Sequence, residues 1–151
     1  MASQLLEVFD VKNNQLLPML EDLIHRYPQI NDPERMDLAK KILNTINQLM
    51  EWEESFFCEN DDIRAVIPSP LAELHRSQER LSEVVEKMIM VHVDEPDATF
   101  LDALKDLHRL LEEHYQVIRG SFIPSLEKTY DPEKLHQLEK QVSQGMMLQK
   151  N

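Results

Sequence analysis

Four stretches of this chain carry apolar side chains that step alternately by three and four residues, and no other feature constrains the fold as tightly. The first runs Leu6, Phe9, Asn13, Leu16, Leu20, Leu23, and the second Ala39, Ile42, Ile46, Leu49, Glu53, Phe56. The third runs Leu71, Leu74, Gln78, Leu81, Val85, Met88, and the fourth Phe100, Leu104, Leu107, Leu111, His114, Ile118. Such stepping marks a helix with one buried face, whereas a half-buried strand alternates at every second residue. Two glycines in 151 residues, beside abundant Leu, Glu, Lys and Gln, suit helices and starve a sheet of turns.

Prolines mark where the helices begin. Asp32 with Pro33, Ser69 with Pro70 and Asp131 with Pro132 each pair an N-cap residue with a proline in the first turn. Thr99 and Asp102 form a capping-box-like pair. Pro28 ends the first helix, because the residue before a proline avoids the helical region. The spacing predicts helices over roughly 3–26, 33–58, 70–92 and 100–128, and a shorter fifth over roughly 132–147. The segment ENDDIRAVIPSP reads as the loop between the second and third helices. Short connections force antiparallel neighbours. The expected fold is therefore all-α: an antiparallel up-down-up-down four-helix bundle with a short C-terminal fifth helix, in one domain over residues 1–151. Pro18 should bend the first helix, and the bare Gly120 should ease the fit around Pro124, four residues on.

A net charge of −12 argues against nucleic acid and against anionic membranes, both of which call for a basic face. No apolar run approaches the roughly 20 residues of a membrane span, and the opening MASQLLEVFD lacks the basic-then-apolar order of a signal peptide. Cys58 is the single cysteine, which leaves no second cysteine for an internal disulfide or for a zinc site built on cysteines and suits a reducing cytoplasm. Two isolated glycines make no phosphate loop, no serine shows a nearby His–acid pattern, and Cys58 has no evident activating base. No enzymatic activity is expected.

Each apolar line is broken once by a polar residue: Asn13, Glu53, Gln78 and His114. An unpartnered carboxylate or imidazole in a core costs several kcal/mol. The four are therefore expected to meet in a shared polar layer. That layer could hold a metal, could be a metal-free network that fixes register, or could reach water near helix ends. Glu53 and His114 are good ligands for iron, manganese or zinc, while Asn13 and Gln78 are neutral amides and weak ones. His75 lies one step from the third line and would raise the count of strong ligands to three; its other reading is a boundary histidine beside Arg76. His25, His92, His108 and His136 read as surface residues.

The pattern resembles the hemerythrin-like cation-binding bundles. The likeness covers essentially the whole chain in helix order and spacing, and is most specific in HYQVIRGSFIPSLEKTYDPEKLHQL, with its histidine, aromatic–aliphatic–proline step and short closing helix. WEESFF resembles the matching acidic pair of helix two. In that register His114 matches the helix-four histidine, and Glu53, or Glu54 one position on, the helix-two glutamate. Asn13, Leu49, Gln78 and Ile118 stand where the family places a histidine, a histidine, a histidine and an acid. The resemblance thus implies the family's fold with most of its di-iron ligands gone.

The expected function is binding or regulation through a helical surface or residual pocket, with no cofactor and with an unspecified protein or small ligand as partner, by a monomer or homodimer. The alternative is a non-standard single-cation protein, holding iron, manganese or zinc with Glu53 and His114 and helped by His75 or a neighbouring carboxylate. A third reading places a small ligand in the space the metals left.

Overall fold

The computed structural model describes residues 4–92 and 98–149, with side-chain surroundings described for these except at 4–6, 8–14, 91–92, 98 and 146–149. The described residues contain helices and turns and no strand, in agreement with the all-α expectation. The helices are α1 (Gln4–Arg26), α2 (Asp32–Glu53), α3 (Asp61–Val66), α4 (Pro68–Lys87), α5 (Ala98–Val117), α6 (Ile123–Thr129) and α7 (Pro132–Gln149). Wider π-helical turns extend α2 over Glu54–Cys58, α4 over Met88–His92 and α5 over Ile118–Phe122. With those extensions the long helices follow the predicted spans closely. The segment expected to be a plain loop instead contains α3. Asn60 explains it: its side chain accepts from the N–H groups of Asp62 and Ile63 at 3.0 and 3.2 Å, and Ile63 is fully buried.

The caps differ from expectation in one respect. Lys134 N–H donates to Asp131 Oδ1 at 2.8 Å, as the sequence predicts. For α2 the cap is Asn31, which accepts from Glu34 N–H at 2.9 Å, and Asp32 lies one position inside. Ser69 and Thr99 likewise lie inside the first turns of α4 and α5. In α2 and α4 the named proline sits later in the first turn than expected, Pro33 as the second residue of α2 and Pro70 as the third of α4.

α1 packs against α2 and α5, α4 packs against α5 and α2, and α7 touches α1 and α2. The third and fourth apolar lines are buried along their whole length, as are Leu16, Leu20 and Leu23 of the first. Leu6, Phe9 and Asn13 have side chains outside those described, as does His92. Each large apolar side chain taken from water contributes about 1.5–3 kcal/mol, so these lines supply most of the drive to fold.

The second line corrects itself at its end. Phe56 was expected in the core; Phe57 is there instead, fully buried, and Phe56 is half-buried. The cause is the π turn, in which Glu59 N–H reaches back five residues to the Glu54 carbonyl at 2.9 Å. A wider turn carries the buried face one residue further along. Phe57 then meets Phe122 of the α5 extension with ring centroids 4.8 Å apart.

Pro18 is accommodated within α1. Ahead of Pro124 the chain widens: Ile123 N–H bonds the Ile118 carbonyl, five residues back, because a proline offers no N–H for the usual bond. Gly120 does not ease that fit as expected, since a Cβ there would meet nothing within 4 Å. The glycine that matters sterically is Gly145 of α7, where a Cβ would run into the Phe56 ring.

Candidate functional site

Three of the four line-breaking residues come together. Glu53 ends α2 and His114 lies near the end of α5, and both are fully buried. His114 Nε2 stands 2.8 Å from Glu53 Oε1 and 3.0 Å from Oε2. Gln78, in the middle of α4, donates from Nε2 to Glu53 Oε1 at 3.0 Å. Asn13, the fourth, has its side chain outside those described.

Two further residues complete the network. Ser77 Oγ lies 2.8 Å from His114 Nδ1, and the Cys58 thiol donates to Gln78 Oε1 at 3.6 Å. With a proton on Nε2, the imidazole donates to Glu53 and accepts the Ser77 hydroxyl at Nδ1, so neither nitrogen is wasted. Sequence reading missed Ser77 because a serine beside an apolar line does not interrupt it. Only the position next to Gln78 hinted at a role.

Ser77, His114 and Glu53 stand in the order of a nucleophile, a base and an acid. Acyl transfer also needs donors, from backbone N–H groups or side chains, placed to hold an oxyanion. Ser77 sits mid-way along α4, where the neighbouring N–H groups are engaged in the helix.

His75 does not join the buried group. Its side chain is 56% exposed and its Nε2 lies 3.2 Å from Glu79 Oε1. The single step that separates it from the third line turns it outward, beside Glu54 and Cys58. Ligand atoms of Glu54, Cys58 and His75 all lie within 4.8 Å of one another. Glu54 and His75 line an open groove of about 560 Å³ between α2 with its π turn and α4. Five glutamates (Glu51, Glu54, Glu79, Glu83 and Glu86) line it, with no lysine or arginine among the lining residues. Gln78 lines it too, and so joins the groove to the buried pair. Burial, and then the charge of Glu54, push the Cys58 thiol up to about 12.

A second cluster, Glu21, His108 and Glu112, spans α1 and α5. His108, expected to be solvated, is partly covered and lies 2.9 Å from Glu21. His25 and His136 are exposed, as expected.

No family model, curated protein or solved structure matches this chain. No helix among the described residues is long and apolar enough to cross a membrane.

Proposed function

We propose that the chain is a hemerythrin-like antiparallel up-down-up-down bundle whose metal layer has become a metal-free hydrogen-bond network. In this reading it serves in the cytoplasm as a binding or regulatory module, without oxygen carriage or catalysis. One observation carries the proposal: His114 Nε2 faces both carboxylate oxygens of the fully buried Glu53. A ligating imidazole needs a bare nitrogen aimed at the ion, and here Nε2 faces the carboxylate and Nδ1 faces Ser77. The donor set does not fit a di-iron centre either, which takes about five or more histidine and carboxylate ligands. The aligned positions hold Asn13, Leu49, Gln78 and Ile118.

The binding surface in this reading is the groove between α2 and α4. Its five glutamates favour a positively charged partner, and the chain's net charge of −12 steers such partners toward it. Elemental analysis of untagged protein, with His114→Ala and Glu53→Ala alongside, tests the metal-free core. Stoichiometric iron, manganese or zinc that disappears in both variants would overturn the reading.

A further inference from the structure

We infer that the outer face of the bundle carries a divalent-metal site of the zinc class, built from Glu54, Cys58 and His75, with water completing the coordination. It is separate from the Glu53–His114 pair. Three different ligand types converge from two elements: Glu54 and Cys58 from the π turn after α2, and His75 from α4. Thiolate and imidazole together select zinc and related transition metals over magnesium or calcium, which prefer oxygen alone.

The geometry is close to what such an ion needs. Zinc bonded at about 2.3 Å to sulfur and about 2.0 Å to nitrogen or oxygen holds tetrahedral donors about 3.3–3.5 Å apart. The three ligand atoms already lie within 4.8 Å of one another. Glu54 and His75 are both exposed, so rotation about their side-chain bonds closes the remainder without disturbing the core. Glu79 Oε1, 3.2 Å from His75 Nε2, is placed to partner the histidine when Nδ1 is the ligand. The groove opens directly onto Glu54 and His75, and its glutamates raise the local concentration of cations. Binding converts the Cys58 S–H to a metal–sulfur bond and releases its proton to the buffer, leaving the oxidation state of sulfur and metal unchanged.

The test uses untagged full-length protein, stripped with a chelator and titrated with Co²⁺ and then Zn²⁺. The expected result is one equivalent of cobalt with a thiolate-to-cobalt charge-transfer band, bleached when zinc displaces it. Cys58→Ser should abolish the band, and His75→Ala should weaken binding by about tenfold or more. His108→Ala, in the other cluster, should change nothing. Thermal melts of the stripped variants check folding, which these partly exposed positions should leave intact. Absence of the cobalt–thiolate band, or full affinity in His75→Ala, would overturn the assignment. Metal kept by His75→Ala but lost from His114→Ala would overturn both this site and the metal-free core, whereas the opposite pattern would uphold both.

Discussion

Ser77 and Gln78 are consecutive on α4, yet they hold opposite ends of one buried pair: Ser77 meets His114 at Nδ1, and Gln78 donates to Glu53 at Oε1. Adjacent helix positions point about 100° apart, so α4 straddles the pair and fixes both partners from one backbone.

Removing either partner strands the other away from water. Glu53→Ala and His114→Ala should each lose about 3–5 kcal/mol in urea unfolding. The double variant Glu53→Leu with His114→Leu should lose clearly less than the sum, because no buried charge is left over. Additive losses would show that the two do not act as a pair. Glu53→Gln keeps the shape and should leave far-ultraviolet circular dichroism unchanged.

Cys58 should be a sluggish thiol in metal-free protein. Its thiol is pushed up to about 12, above the ordinary 9.0, by burial and then by Glu54. Iodoacetamide labelling should stay slow through pH 9 and accelerate only toward pH 12. The unfolded chain releases this proton first as pH rises, so the contribution to stability is present below pH 9 and is lost between about 9 and 12. Glu54→Gln should shift labelling to lower pH.

The two glycines should respond oppositely to alanine. At Gly120 a Cβ meets nothing within 4 Å, so Gly120→Ala should add about 0.5–1 kcal/mol. At Gly145 it would run into the Phe56 ring, which must shift, so Gly145→Ala should lower the melting temperature. Calorimetry of the pair decides both.

Asn31→Ala should cost about 1 kcal/mol through loss of the α2 cap, or roughly 2–4 °C in Tm for a chain of this size. Asp32→Ala, which removes only an exposed contact to Arg35, should cost less.

The long helices and the core were legible because Leu, Ile and Val at helical spacing leave little choice of face. Glu53, Gln78 and His114 were legible for the converse reason: a polar group in a greasy line must find a partner. The outward face of His75 followed from one step of about 100°, which a sequence pattern resolves poorly. The Glu54–Cys58–His75 cluster was hidden because it depends on a widened turn, and a π turn leaves no mark in a 3.6-residue pattern. α3 escaped because six residues are too few to show a period.

The hydrogen bonds around Glu53 have a common heading. From one side the thiol of Cys58 points to the Gln78 carbonyl and the Gln78 amide points to Glu53; from the other, with the His114 proton on Nε2, Ser77 points to His114 and His114 to Glu53. The carboxylate is the terminus of both chains, and its charge dictates which way round the Gln78 amide sits. Turned over, that amide would set its oxygen against the carboxylate and its NH₂ against the thiol. The orientation offered to the half-buried Cys58 is thus set by an anion in the interior with no solvent-exposed surface.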